Sequence, residues 1–178
     1  MGLDIGYYSD IEEIETPNGE DFEDFCVYTH NDGFLYQLGT LKNHKYYDKT
    51  KNCIYGSFRA GSYSGYNSWR EQLAKMAGYE SAEYVWNDWK QNERYMKLIK
   101  MEGGGVKPMK PFYEIINFSD AEGTIGSEIC KKLHKDFIDF DEKAKLIEWG
   151  EGYFYIKYKE WTEAFRVASI GNGVVNFH

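Results

Sequence analysis

The sequence predicts an α+β fold in which three to four helices pack on a mostly antiparallel sheet. Strand-like runs lie near both ends of the chain, and helix-like periods of apolar residues fill most of the stretch between them. This order lacks the regular alternation of strand and helix that builds a parallel sheet, so antiparallel pairing is expected. The 178 residues fit one domain, which we place at residues 1–178.

The predicted strands lie mainly in the first third of the chain. Aromatic and apolar residues there form short runs bounded by turn residues, a pattern that favours strands. Asp32-Gly33 separates two such runs and predicts a hairpin. The predicted strands cover residues 3–8, 25–29, 34–38 and 54–59, with an exposed acidic excursion over 11–24 and a loop from residue 46 that leads into the last of them.

The helices are predicted from apolar residues at spacings of three and four. One begins near Ser68, where Ser68-x-x-Glu71 matches a capping box, and ends at Gly78. A second begins at Ser81, and three glycines followed by prolines then predict a flexible surface loop near residues 102–111. The remaining predicted elements are an extended run over 112–118, a long helix over 127–149, a helix over 154–170 and a closing strand over 174–177.

A turn rich in glycine and hydroxyl side chains, residues 58–67, precedes the first helix. Gly61 and Gly65 would let backbone N–H groups converge on an anion, as they do in phosphate-binding loops. Arg59 in this segment and Arg70 shortly after it are suited to hold phosphate oxygens. The segment lacks the Gly-Lys-Ser/Thr ending of a P-loop, so a tight turn with a helix cap is the alternative. The ligand-binding residues predicted here are Arg59, Ser62, Tyr63, Ser64, Tyr66, Asn67 and Arg70.

A second glycine-rich turn spans residues 117–126. Asp120 and Glu122 are two positions apart, and an extended chain would point both carboxylates the same way. Such a pair suits acid–base catalysis or a divalent cation, whereas a capping arrangement is the structural alternative. We expect both turns to face one cavity. The ligand contacts predicted in this turn are Asn117, Ser119 and Thr124.

Three aromatic residues of the second helical stretch have two interpretations. Trp86, Trp89 and Tyr95 would either pack in the core or offer a stacking surface for a base or sugar. Their spacing within one helical stretch favours the core.

Charge, cysteine and histidine patterns exclude several function classes. The net charge is −8, with 29 acidic and 21 basic residues, and the chain lacks the concentrated positive runs that duplex nucleic acid requires. It also lacks an apolar run of about 18 residues, so a membrane partner is not expected. The three cysteines have no CxxC spacing and the four histidines are scattered, which predicts no metal site. The odd cysteine number favours reduced thiols in a cytoplasmic protein.

Four segments carry a family resemblance. They are MGLDI at residues 1–5, FRAGSYSGYNSWR at 58–70, INFSDAEGTIG at 116–126 and VVNFH at 174–178. Together they resemble an uncharacterised family of small phage and prophage proteins. The resemblance implies a phage product in the bacterial host cytoplasm, where accessory proteins of this kind often counter host defence, for instance by sequestering nucleotide signals.

Three functions remain open from the sequence. The favoured one is a binding protein for a small anionic ligand, such as a nucleotide-derived defence signal, without a cofactor. The alternatives are a hydrolase of a nucleotide or glycosidic bond and a protein that occludes a host enzyme through its acidic surface. The hydrolase would use Asp120 and Glu122 either as an acid–base pair or with Mg²⁺ as its cofactor. Both turns lack the His, Cys or Lys of a proton relay, which favours binding over hydrolysis. Self-association is left open.

Overall fold

The computed structural model describes residues 2–16, 25–87 and 110–178, and in these ranges seven strands form two antiparallel sheets. In chain order the strands are β1 (Leu3–Tyr8), β2 (Ile11–Ile14), β3 (Val27–Tyr28), β4 (Tyr46–Lys49), β5 (Tyr55–Gly61), β6 (Gly123–Gly126) and β7 (Val174–Phe177). The main sheet has the order β5-β1-β7-β6, and the small sheet has the order β2-β4-β3.

Most of the helices lie between β5 and β7. They are α1 (Tyr63–Met76), α2 (Ala82–Trp86), α3 (Tyr113–Ile116), α4 (Ser127–Asp139), α5 (Asp141–Ala144) and α6 (Tyr153–Ala168), and a 3₁₀ helix (Leu35–Leu38) comes before them. The two antiparallel sheets with their packed helices confirm the predicted α+β class. Among the described helices, none combines the length and apolar character that a membrane span needs.

Strands from the two ends of the sequence pair in the main sheet. Ile5 of β1 lies opposite Phe58 of β5 on one side and Phe177 of β7 on the other. The backbone N–H of Asp4 donates to the carbonyl of His178 at 2.9 Å, and the N–H of His178 donates back at 3.0 Å. Both edges of β1 are therefore paired, and the Ile5 side chain is buried in the core.

Stacked aromatic rings join the helices to the main sheet. Tyr66 and Trp69 of α1 pack against Trp161 of α6, with ring centroids 5.8 Å and 5.9 Å from it. Trp161 in turn lies 5.5 Å from Phe177 of β7, and Trp69 Nε1 donates to the carbonyl of Phe154 at 3.2 Å. These buried rings fix α1 and α6 on one face of the sheet.

A buried ion pair ties α3 to α4. Lys132 Nζ lies 2.5 Å from Glu114 Oε2 and 2.8 Å from Asp136 Oδ2. Asp136 Oδ2 also accepts the backbone N–H of Phe112 at 2.9 Å. Burial raises the pKa of the Glu114 carboxyl, and the neighbouring Lys132 ammonium opposes that rise. Glu114 therefore depends on Lys132 to be ionised in the core.

Several predicted elements are confirmed. The strands predicted at 3–8 and 174–177 match β1 and β7, and the predicted helix over 154–170 corresponds to α6. Ser81 caps α2 as its position predicts, with its Oγ accepting the N–H of Tyr84 at 2.9 Å. Residues 17–19 and most of the predicted loop near 102–111 lie outside the described residues, as does the helical stretch beyond residue 87.

Five predicted elements differ from the structure. The exposed acidic excursion predicted over 11–24 begins with β2, whose Ile11 is buried in the small sheet. The extended run predicted over 112–118 contains α3, because a short, fully buried apolar run fits a helix as well as a strand. The strand predicted at 34–38 is the 3₁₀ helix, so the predicted hairpin does not form. The loop predicted from residue 46 contains β4, whose Tyr47 is buried in the small sheet. The long helix predicted over 127–149 ends at Asp139, and α5 follows it.

Candidate functional site

A cavity of about 410 Å³ opens between α1, α2 and the turn at residues 117–122. Side chains from both glycine-rich segments of the sequence meet here, together with side chains of α2. The lining residues are Asn67, Arg70, Glu71, Ala82, Glu83, Trp86 and Asp120. We call this space the α1–α2 cavity.

The start of α1 places two of these residues on one helix face. Ser62 caps the helix, and its Oγ accepts the backbone N–H of Gly65 at 3.0 Å. The cap predicted at Ser68 is therefore wrong, because α1 has already begun before that residue. Since positions three apart share a helix face, Asn67 and Arg70 both lie on the side of α1 that borders the cavity.

Glu71 has a different role from the predicted capping box. Its Oε2 accepts the backbone N–H of Ala82 at 2.8 Å, which attaches α1 to the first turn of α2. Its other oxygen lies 3.2 Å from Lys75 Nζ. This attachment holds the short helix α2, and with it Trp86, beside the cavity.

Asp120 lines the cavity from a bend in the chain. Ser119 Oγ accepts the backbone N–H groups of Ala121 and Glu122 at 3.2 Å and 3.1 Å, which turns the chain at this point. Asn67 Nδ2 then donates to Asp120 Oδ2 at 2.7 Å. This hydrogen bond joins the two segments that the sequence singles out.

Arg70 is buried beneath the cavity rather than extended into it. Its guanidinium donates to the carbonyls of Ile116 and Phe118 at 3.3 Å and 2.6 Å, and to Asn67 Oδ1. The side chain is 7 % exposed, and its guanidinium carbon lies 5.5 Å from the centroid of the Trp86 ring. Arg70 thus stabilises the turn after α3 and packs against one side of Trp86. Its guanidinium hydrogen bonds are made to protein acceptors rather than to the cavity.

Arg59 lies away from the α1–α2 cavity. It is on β5, where its Nη1 pairs with Asp4 Oδ2 at 3.1 Å in a solvent-exposed contact. Lys157 Nζ donates to the Arg59 carbonyl at 2.7 Å, so α6 covers this part of the strand. The two arginines that the sequence assigns to one phosphate grip therefore have different surroundings.

The other predicted ligand residues of the first turn divide between surface and core. Ser62 and Ser64 are exposed at the start of α1, with Tyr63 between them partly buried. Tyr66 is fully buried, and burial raises the pKa of its hydroxyl well above the usual range. None of these four lines the α1–α2 cavity.

Two predicted residues of the second turn are buried structural groups. Asn117 Nδ2 donates to the Tyr113 hydroxyl at 2.9 Å. Thr124 Oγ1 donates to Asn176 Oδ1 at 3.1 Å, and the backbone N–H of Thr124 donates to Asn31 Oδ1 at 2.8 Å. They fix β6 and the turn before it rather than facing the cavity.

Asp120 and Glu122 do not form the predicted carboxylate pair. Asp120 faces the α1–α2 cavity, whereas Glu122 lines a separate, smaller cavity of about 90 Å³. There its Oε1 lies 3.6 Å from His30 Nδ1. The bend made by Ser119 replaces the extended chain on which the prediction depended, and so the two carboxylates point to different places.

Trp86 and two glutamates complete the site. Trp86 is 41 % exposed and lines the cavity, which agrees with the stacking alternative, while Trp89 and Tyr95 lie outside the described residues. Glu71 and Glu83 were not predicted, although Glu71 lies four positions after Asn67 on the same helix face. Three carboxylates thus line the cavity against one buried guanidinium.

Comparison of the chain with protein-family models, curated proteins and solved structures found no match.

Proposed function

We propose that the protein binds a small ring-bearing molecule of the nucleoside or nucleotide class in the α1–α2 cavity. The exposed Trp86 ring beside three carboxylates is the observation that carries this proposal. Stacking of a base on an accessible indole ring contributes about 1–3 kcal/mol to the binding free energy. Carboxylates accept hydrogen bonds from ribose hydroxyls and base amino groups.

The charge of the cavity decides which part of such a ligand enters it. Glu71, Glu83 and Asp120 repel phosphate, and the guanidinium of Arg70 already donates to three protein acceptors. The base and sugar would therefore occupy the cavity while a phosphate stays in solvent. A nucleoside should therefore bind at least as tightly as its monophosphate. This differs from the expectation from the sequence, in which two arginines hold the ligand by its phosphate.

Binding is favoured over hydrolysis on this geometry. Asp120 and Glu122 line different cavities, so the acid–base pair of the hydrolase hypothesis lacks its second member. Asp120 is also held by Asn67, and Glu71 by the backbone of Ala82. Because the sequence resembles phage proteins, we propose that the protein sequesters a nucleotide-derived signal. The bound signal would be released chemically unchanged.

The proposal is tested with a pool of nucleosides and of linear and cyclic nucleotides. The protein is incubated with the pool, and the bound species are identified by native mass spectrometry and then titrated singly. Trp86→Leu and Asp120→Asn should each weaken binding about tenfold, which corresponds to about 1.4 kcal/mol. Glu122→Gln is the matched control, because Glu122 lines the other cavity and its loss should leave the affinity unchanged.

Three outcomes would count against the proposal. Recovery of an altered ligand would indicate a hydrolase. Absence of any bound species from the pool would leave the cavity without a ligand of this class. An equal loss of affinity in Glu122→Gln and Trp86→Leu would show that the ligand does not occupy the α1–α2 cavity.

A further inference from the structure

Two histidines that are far apart in the sequence meet on either side of Asp32. His30 Nε2 lies 3.4 Å from Asp32 Oδ2, and His44 Nε2 lies 3.2 Å from Asp32 Oδ1. One ligand atom from each of the three residues lies within 4.8 Å of the other two. All three side chains are exposed to solvent. We call these residues the His–Asp cluster.

We propose that the His–Asp cluster is a Zn²⁺ site. A tetrahedral Zn²⁺ ion with bonds of about 2.0–2.1 Å to nitrogen and oxygen holds its ligand atoms about 3.4 Å apart. The two imidazole nitrogens lie about this far from Asp32, His30 Nε2 from Oδ2 and His44 Nε2 from Oδ1. One of these oxygens would bind the ion together with both nitrogens, since one ligand atom from each residue lies within 4.8 Å of the other two. Two imidazoles and one carboxylate form a donor set that suits Zn²⁺ and its neighbours in the first transition row.

Each imidazole also has a partner for its other nitrogen. His30 Nδ1 lies 3.6 Å from Glu122 Oε1, and His44 Nδ1 lies 3.3 Å from the hydroxyl oxygen of Tyr28. The Glu122 carboxylate favours a proton on His30 Nδ1, which leaves the Nε2 lone pair of His30 for a metal. The Tyr28 hydroxyl can accept from His44 Nδ1 in the same tautomer. Both Nε2 atoms face Asp32, so both lone pairs would point to the same place.

The loops that carry the cluster are held together by their own hydrogen bonds. The backbone N–H of Asn31 donates to Asn43 Oδ1 at 2.9 Å, and Asn43 Nδ2 donates to Asp32 Oδ1 at 3.0 Å. Asn31 Nδ2 reaches the carbonyl of Thr124 at 2.6 Å, which anchors the loop to β6. The ligands are therefore positioned by the fold before any ion arrives, which lowers the cost of binding.

Three protein ligands leave one tetrahedral position to solvent. Metal sites with this arrangement carry a water molecule or an added ligand in the fourth position. The cluster lies at the smaller cavity that His30, Asp32 and Glu122 help to line, and the α1–α2 cavity has a different set of lining residues. The Zn²⁺ site is therefore independent of the proposed nucleoside site.

The test is a titration of tag-free protein with Zn²⁺ by isothermal calorimetry, repeated with Co²⁺ read by its visible absorption. The wild-type chain should bind one ion. His30→Ala and His44→Ala should each weaken binding by about a hundredfold or more, since loss of an outer partner alone costs about 10–100-fold. His134→Ala is the matched control, because His134 lies on α4 outside the cluster.

A second pair of variants separates this site from the nucleoside site. Glu122→Gln should weaken Zn²⁺ binding about tenfold through His30, whereas Trp86→Leu should leave it unchanged. Circular dichroism checks that each variant is folded. We expect all of them to fold, because the substituted side chains are at least partly exposed to solvent. Absence of saturable Zn²⁺ binding, or an equal effect of His134→Ala and His44→Ala, would overturn the proposal and leave the cluster as a surface ion pair.

Discussion

Replacement of Arg70 by lysine distinguishes a structural guanidinium from a ligand-binding one. Arg70 donates to the buried carbonyls of Ile116 and Phe118 and to the side chain of Asn67. Lysine keeps the positive charge but has a single ammonium on an unbranched stem, so it lacks the planar fork that reaches several acceptors. At least one of the two buried carbonyls should lose its donor.

The size of the effect follows from that loss. A buried acceptor without a donor costs about 1–3 kcal/mol, and the weaker stacking on Trp86 adds a smaller amount. We expect Arg70→Lys to lower the free energy of unfolding by about 2–3 kcal/mol, on the basis of these two contributions. For a domain of this size that corresponds to a fall of roughly 4–12 °C in melting temperature.

Arg59→Lys is the matched control, since Arg59 makes an exposed pair with Asp4 that is worth about 0–1 kcal/mol. Urea unfolding measured by tryptophan fluorescence reports both variants, because Trp69 and Trp161 are buried in the core. A difference below about 0.5 kcal/mol between Arg70→Lys and Arg59→Lys would refute the structural role that we assign to Arg70.

Two further substitutions follow from buried contacts. Lys132→Met removes the cation that faces Glu114, and we expect a loss of about 3–5 kcal/mol. Burial raises the pKa of the Glu114 carboxyl and the Lys132 ammonium opposes that rise, so the folded variant should hold the proton more tightly than the folded wild type. The stability difference between variant and wild type should therefore grow as pH rises above about 5. Urea unfolding near pH 5 and near pH 8 measures this pH dependence. The exposed Lys135→Met is the control, and equal losses of stability at both pH values would contradict the prediction. Gly126→Ala places a Cβ against the carbonyl oxygen of Leu38 and should cost about 1–3 kcal/mol; a wild-type melting temperature would contradict this contact.

The elements that follow a local pattern could be predicted from the sequence. The strands β1 and β7 are short runs of mainly apolar and aromatic residues, and α6 repeats its apolar residues at spacings of three and four. Ser81 caps α2 through a hydrogen bond within one turn, so its role depends only on neighbouring residues. Local sequence was enough in each of these places.

The candidate site depended on contacts that local patterns do not contain. Arg70 is buried because the carbonyls of residues 116 and 118, far along the chain, turn toward it. The bend at Ser119 separates Asp120 from Glu122, although their spacing suggests a pair. His30 and His44 meet through the small sheet and its loops, and neither spacing nor composition indicates that they share a carboxylate.

The pairing of β1 with β7 has a consequence for synthesis of the chain. One edge of β1 has no neighbour until residues 174–177 leave the ribosome, which takes on the order of ten to thirty seconds. During that time the strand exposes free backbone groups that other chains can bind. A circular permutant that joins residue 178 to residue 2 and opens at Gly78 would make this pair a local hairpin. If the late closure of the sheet limits folding, the permutant should refold faster and aggregate less during translation than the parent chain.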